Sequence, residues 1–276
     1  MTPAISTVAS GLAQLACESV GAGIPVVFLH AGVADRRMWR QQMAAVAQAS
    51  HPFHAIAYDR RGFGETLHVE ERYSQTGDLI AVLDALAPRR PAILVGSSQG
   101  GRIAIDAALA DPAHVRALVL VAPAISGAPD VTLFPPAIQD WIENVERAED
   151  AADVDRINAL EAHAWLDGPL APEGRVSGPA RDLFLAMNEL ALRAEQCGTE
   201  IAPPAAFGRL QEITAPSLIV WGDLDFPHIV QRCEWMGTSV PAARTHVLRD
   251  AAHLPSLEQP REFNRVLLDF LAAVIA

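Results

Sequence analysis

Gly96-Ser97-Ser98-Gln99-Gly100 sets one serine midway between two glycines. An apolar run, Ala92–Val95, precedes it, and a helical pattern, Gly100–Ala110, follows. A serine hydroxyl becomes a useful nucleophile when a base takes its proton. The G-x-S-x-G pattern at a strand–helix junction presents that hydroxyl on a sharp turn, where neighbours two residues away must lack Cβ atoms. Ser98 fits this frame. Ser97 does not, because Val95 and Gln99 would then occupy the small positions. A helix starting beside Gln99 also aims N–H groups and its positive end at the site, which favours a developing oxyanion.

Three further segments end buried strands and could complete the chemistry. The turn after Pro25–His30 reads Ala31-Gly32-Val33; Gly32 is the first choice for a second oxyanion N–H and Val33 the alternative. After Ser217–Trp221 come two carboxylates, Asp223 and Asp225. Asp223 sits in a tight turn with Gly222, where a short acidic side chain commonly bonds backbone, so Asp225 is the better partner for a histidine. After Thr245–Leu248 lies His253; His228 is a nearby competitor, and His30 is placed to support the turn after the first buried strand. The chain order Ser98, Asp225, His253 differs from the orders of the chymotrypsin and subtilisin triads.

These segments are positioned by alternation of strand and helix. Strands are expected at Pro25–His30, Phe53–Asp59, Ala92–Val95, Ala117–Val121, Ser217–Trp221 and Thr245–Leu248. Helices are expected at Met38–Ala49, Tyr73–Leu86, Gly100–Ala110 and Glu258–Val274. Ala9–Val20 reads as a strand pair leading into the sheet. Continuous apolar strands alternating with helices specify an α/β fold, a mostly parallel sheet covered on both faces. The alternation breaks over residues 124–212. There Pro135-Pro136 and Pro203-Pro204 bracket helical stripes at Ile138, Trp141, Ile142, Val145, then Ile157, Leu160, Ala164, Trp165, then Ala180, Leu183, Phe184, Met187, Leu190. Residues 1–123 and 213–276 therefore read as the core, and 124–212 as an inserted helical cap.

The chain has 276 residues, 50% of them hydrophobic, which excludes disorder and supplies a sizeable core. Its 21 Lys+Arg residues are all arginine, which removes Schiff-base and P-loop lysine chemistry. A net charge of −12 argues against nucleic acid or an anionic membrane as partner. Cys17, Cys197 and Cys233 form no C-x-x-C pair and read as reduced thiols; no apolar run approaches the ~18 residues of a membrane span, and a cytoplasmic location is expected. Oligomeric state is left open.

With these motifs in place, the chain resembles the α/β-hydrolase superfamily over nearly its full length. The matching pieces are Phe28-Leu-His-Ala-Gly-Val33, Tyr58-Asp-Arg-Arg-Gly-Phe-Gly64, the Ser98 turn, Trp221-Gly-Asp-Leu-Asp225 and Ala252-His-Leu-Pro-Ser-Leu-Glu-Gln-Pro260. Ala164-Trp-Leu-Asp-Gly-Pro169 is similar to the small helical cap of enol-lactone hydrolases and related carboxylesterases. The family's usual His-Gly after the first strand is His30-Ala31 here. The resemblance implies an α/β-hydrolase fold, Ser98 as nucleophile, His253 as base then acid, Asp225 as its orienter, and the Gln99 and Gly32 N–H groups as oxyanion hole. Asp59 and Arg60 would brace the adjacent loop. It implies neither metal nor organic cofactor. Serine at the turn, not aspartate, argues against dehalogenase and epoxide-hydrolase chemistry. The expected activity is hydrolysis of a carboxylic ester or lactone through an acyl-enzyme. C–C bond hydrolysis of a β-diketone or perhydrolysis would use the same triad, and a receptor-like binder would keep the fold with little turnover.

Residues 124–212 carry 16 acids and 6 arginines, a net charge of −10, so nearly all the charge sits on the cap. Such a cap disfavours anions. Trp141, Trp165, Phe184 and Met187 are candidates to line an apolar pocket, and Val33 and Trp165 are the named substrate contacts. Small to medium neutral esters or lactones are expected to be preferred over carboxylate-bearing ones and long-chain lipids.

Overall fold

The computed structural model describes residues 2–88 and 90–275. An antiparallel hairpin, β1 (Ala4–Ser10) and β2 (Ala13–Gly21), opens the chain. There follow β3 (Ile24–Leu29), α1 (Arg40–Ala47), β4 (Phe53–Tyr58), a short β5 (Glu71–Tyr73), α2 (Gln75–Leu86), β6 (Ala92–Ser97), α3 (Gln99–Ala110) and β7 (Val115–Val121). The chain then leaves the sheet for α4 (Pro136–Asp150), α5 (Val154–Glu161), α6 (Pro179–Leu192) and a short β8 (Gly198–Glu200). It returns as β9 (Ser217–Gly222), α7 (Pro227–Ser239), β10 (Arg244–Leu248), the single turn α8 (Pro255–Glu258) and α9 (Pro260–Ile275).

The main sheet has eight strands in the order β1-β2-β4-β3-β6-β7-β9-β10. β1–β2 and β2–β4 pair antiparallel, and every later neighbour pairs parallel. The strand alternation divides the core into two layers. Val27 and Leu29 of β3 join α2, α3 and α7 on one face; Val26 and Phe28 join α1 and α9 on the other. α9 shows why its sequence is helical: Phe263, Val266, Leu267, Phe270 and Leu271 fall on one face and are buried. Burying each such side chain contributes about 1.5–3 kcal/mol.

Several elements depart from the sequence expectation. The opening hairpin begins at Ala4, ahead of Ala9, and turns at Gly11. Tyr73 does not start a helix: it ends β5, which pairs with β8, and Ser74 caps α2 by accepting from the Gly77 N–H at 3.2 Å. α7 was not expected, although Pro227 at its first turn and buried Ile229, Cys233 and Met236 are helical signals.

The helices of residues 124–212 share the main core. Ala148, Ile157 and Leu160 form a small cluster of their own. Ile138 and Ala164 join one main layer, and Ala162, Leu166, Phe184 and Met187 join the other. Trp141 donates to the Leu160 carbonyl at 2.9 Å, tying α4 to the end of α5. After α5 the helix widens into a π turn, Ala162–Asp167.

The β6–α3 junction sets a tight steric limit. A Cβ on Gly96 would lie 2.3 Å from the Gly100 carbonyl oxygen, and one on Gly100 would lie 2.2 Å from that of Leu29. Gly100→Ala is therefore expected to lower the unfolding free energy by about 1–3 kcal/mol through forced backbone displacement. Gly208→Ala, which meets nothing within 4 Å, serves as control and should shift stability by less than about 0.5 kcal/mol. Urea melts of the two variants check this; equal midpoints would refute the steric account.

Candidate functional site

Ser98 stands between the end of β6 and the first residue of α3, with φ 50° and ψ −113°. A non-glycine residue holds such a conformation at a cost of about 1–3 kcal/mol, and only when its surroundings impose it. The surroundings are explicit. The Ser98 N–H donates to the Val121 carbonyl at 2.8 Å, and its own carbonyl accepts from Ala124 at 3.0 Å and Arg102 at 3.1 Å. Ser97, one residue earlier, is fully buried, and its hydroxyl finds no partner among the described residues.

Asp225 and His253 come from the loops after β9 and β10. The His253 Nδ1 lies 2.7 Å from the Asp225 Oδ2, and both side chains are buried. The remaining Asp225 oxygen accepts from the Phe226 N–H at 2.7 Å. An ionised carboxylate at Nδ1 holds the neutral imidazole's proton there and leaves Nε2 as a base. Asp223 accepts from the Asp250 N–H at 2.7 Å and from Arg249 at 3.3 Å. It shapes the turn and does not touch the histidine. His228 packs against Phe134 and Phe226 instead, and burial, with Arg232 nearby, holds its imidazole below the usual range.

A cavity of about 280 Å³ brings the pieces together; Gly32, Val33, Ser98, Gln99, Glu161, Trp165 and His253 line it. Trp165 lies over His253 with ring centroids 4.7 Å apart. No hydrogen bond joins Ser98 to His253 among the described residues. The Gly32, Val33 and Gln99 N–H groups have no protein acceptor among the described residues, so all three are free to meet an anion at this wall.

The wall is braced from below. The Arg60 N–H donates to the His30 Nε2 at 3.0 Å, and His30 Nδ1 donates to the Ala31 carbonyl at 2.8 Å, which defines a neutral tautomer. Burial and the neighbouring Arg60 keep this imidazole well below its ordinary range. The Arg60 guanidinium donates to the Ala31 carbonyl at 3.1 Å and to the Gln99 side-chain oxygen at 3.3 Å. It thus ties the turn after β3 to the start of α3. Asp59 accepts from the Arg36 and Glu65 N–H groups, each at 2.8 Å; burial pushes its carboxyl up to about 6, against the attraction of Arg36.

Arg175 performs a similar task between the inserted helices and the His253 loop. It donates to the carbonyls of Asp167 at 2.6 Å, Leu166 at 2.8 Å and Asp250 at 2.8 Å, and it pairs with Glu258. Glu258 in turn accepts from the Ala252 N–H at 3.0 Å, next to His253. Burial pushes the Glu258 carboxyl up to about 7, with Arg175 and the Ala252 N–H opposing.

One sequence expectation about the pocket needs correction. Phe184 and Met187 are fully buried in the main core, and Trp141 packs behind Trp165 and Phe226, so none of the three lines the cavity. Phe184 and Met187 join a main core layer because the inserted helices have too small a core of their own. Glu161 was missed. Its signal was present: it lies four residues before Trp165, which puts both on one helical face.

Comparison with known proteins agrees with this architecture. A methyl ester esterase acting on pimeloyl-[acyl-carrier protein] from Nitrosospira multiformis is 25% identical, covering 92% of this chain and 96% of the relative. The structure of Est816, described as an N-acyl homoserine lactone degrading enzyme, superposes with a TM-score of 0.73 at 26% identity, covering 96% of this chain and 99% of its own. The enol-lactonase from Burkholderia xenovorans LB400 has the same fold, with a TM-score of 0.73 at 21% identity and coverage of 96% and 99%. The family model described as the alpha/beta hydrolase family matches residues 26–266. With most of its length matched and its sheet order and strand–turn–helix junction in agreement, the chain belongs to the alpha/beta hydrolase family.

Proposed function

We propose that the protein is a serine hydrolase that cleaves a carboxylic ester or lactone of a small to medium substrate with an apolar body. The observation that carries this reading is the Asp225–His253 pair, bonded at 2.7 Å, with His253 facing the same cavity as Ser98. Ser98 Oγ attacks the scissile carbonyl carbon while His253 Nε2 takes its proton. The tetrahedral oxyanion is met by the Gln99 N–H and by that of Gly32, with Val33 as the alternative donor. Collapse expels the alcohol, which receives the proton from His253, and leaves an acyl-serine. Water, deprotonated by the same imidazole, then releases the acid and restores Ser98. Residues 124–212 act as the cap, contributing Glu161 and Trp165 to the cavity.

The volume of the cavity is at the low end for small-molecule sites, which favours compact substrates over long acyl chains. No arginine lines it among the described residues, and one carboxyl group does. Both features join the cap's charge of −10 in disfavouring substrates that carry a carboxylate.

Ser98→Ala is expected to reduce kcat/KM on a generic aryl ester by at least about 10³-fold and to abolish labelling by a fluorophosphonate, with folding retained. Ser97→Ala should keep the label. Equal loss in both variants would reject Ser98 as the nucleophile. A vinylogous β-diketone turned over faster than any ester in a graded panel would reassign the bond that is cleaved.

Asp225→Asn should cost on the order of 10⁴-fold in kcat, as the corresponding change does in serine proteases, because the amide stabilises the wrong imidazole tautomer. Asp223→Asn should instead lower the melting temperature, since it loses charge-assisted bonds at the β9 turn. Steady-state kinetics and thermal melts of the pair check this assignment, and the reverse pattern would exchange the two roles.

A further inference from the structure

Glu161 has a place in the cavity that the acyl-transfer steps do not use. It is the last residue of α5, where the helix passes into the π turn, and π turns inside helices are frequent at functional sites. Its Oε2 accepts from the Asn188 side-chain amide at 2.5 Å. The same Asn188 nitrogen donates to the Asn158 Oδ1 at 3.1 Å, and Asn158 donates to the Leu185 carbonyl at 2.9 Å. Both asparagines are buried, and the two amide protons of Asn188 are spent, one on each acceptor. The relay fixes one carboxylate oxygen, while no protein donor reaches Oε1 among the described residues.

Among the described residues no arginine or histidine pairs with this carboxyl group. Arg175 is committed to Glu258 and to three carbonyls, Arg181 to Asp167, and Arg193 to Glu189 and Asp155. Burial raises the Glu161 carboxyl above its ordinary range, and Glu149 adds to the effect. A half-paired carboxylate that shares the cavity with Trp165 and Val33 is an acceptor without a donor, and an ammonium can give it a charge-assisted bond. The net charge of −10 over residues 124–212 draws cations toward the same mouth.

We propose that Glu161 is a specificity-determining residue that selects esters or lactones bearing a protonated amine close to the scissile carbonyl, the ammonium donating to Oε1 while Ser98 attacks. This rests on the hydrolase reading above and extends it from the exclusion of anions to the choice of a cation.

The test uses one skeleton with three charges: alanine methyl ester, methyl isobutyrate, in which a methyl replaces the ammonium, and the monomethyl ester of methylmalonate, in which a carboxylate does. All are assayed below the pKa of the amine. Glu161→Gln keeps the shape and an oxygen for Asn188 but removes the charge. It is expected to lower the kcat/KM ratio of alanine methyl ester to methyl isobutyrate at least tenfold, and to raise that of the anion relative to the neutral ester. Calorimetric titration in the Ser98→Ala background gives the same comparison without turnover: the amine's binding advantage over the neutral ester should vanish in Ser98→Ala/Glu161→Gln. A ratio unmoved by Glu161→Gln, or both esters falling together, would overturn the proposal and leave Glu161 as a tie between α5 and α6. N-acetylalanine methyl ester favoured as strongly as the amine would overturn charge as the criterion. If wild type binds the amine selectively but hydrolyses none of the esters, the hydrolase reading falls while the role of Glu161 stands.

Discussion

The start of α3 approaches β6 and β3 so closely around Ser98 that a single methyl group at either flanking glycine would lie within 2.3 Å of a backbone carbonyl. That contact makes the turn sharp, and the sharp turn forces Ser98 to φ 50°. The strain is sustained because β7 and the segment after it hold both the N–H and the carbonyl of Ser98. A serine on an ordinary turn would relax its backbone and swing its hydroxyl away. Here rotation about χ1 is the main freedom left, and the start of α3 lies directly beside it, with the unpaired Gln99 N–H.

The opposite wall depends on buried polar groups that neutralise one another's desolvation. Arg60 is fully buried, and burial lowers its guanidinium to about 10. It remains useful because its donors meet the Ala31 carbonyl and Gln99, and its backbone N–H meets His30. Removing any member would leave a buried donor or acceptor unpaired, which costs more than the bond itself contributes. The turn carrying Gly32 is held in this way although it contains no bulky side chain to pack.

The third wall comes from residues 124–212, which cannot close over a core of their own. Their apolar faces enter the two layers that flank the sheet, and Arg175 bonds the π turn to the loop bearing His253. The wall carrying Trp165 and Glu161 is therefore mechanically coupled to the loop of His253. A change in packing at Phe184 or Met187 would reach the cavity through the backbone and not by direct contact.

How much of this was legible in the residues follows from the range of the forces involved. Strand and helix identities in the core, the frame around Ser98, and the preference for Asp225 over Asp223 rest on local rules: side-chain period, the absence of a Cβ, and the bonding habit of a short acid in a tight turn. Such rules act within a few residues, so they can be read along the chain. The start of α2 was misplaced because Tyr73 is claimed by β8, more than a hundred residues away, and that pairing is invisible locally. Which face of α4, α5 and α6 turns to the sheet was likewise undecided, since an amphipathic stripe states that a face is buried but not against what. Glu161 shows the limit most plainly. On the sequence it is one of 33 acids; its partial pairing, its partial burial and its place in the same cavity as Ser98 arise when separate segments of the chain meet, because a carboxyl group's behaviour depends on what surrounds it in space.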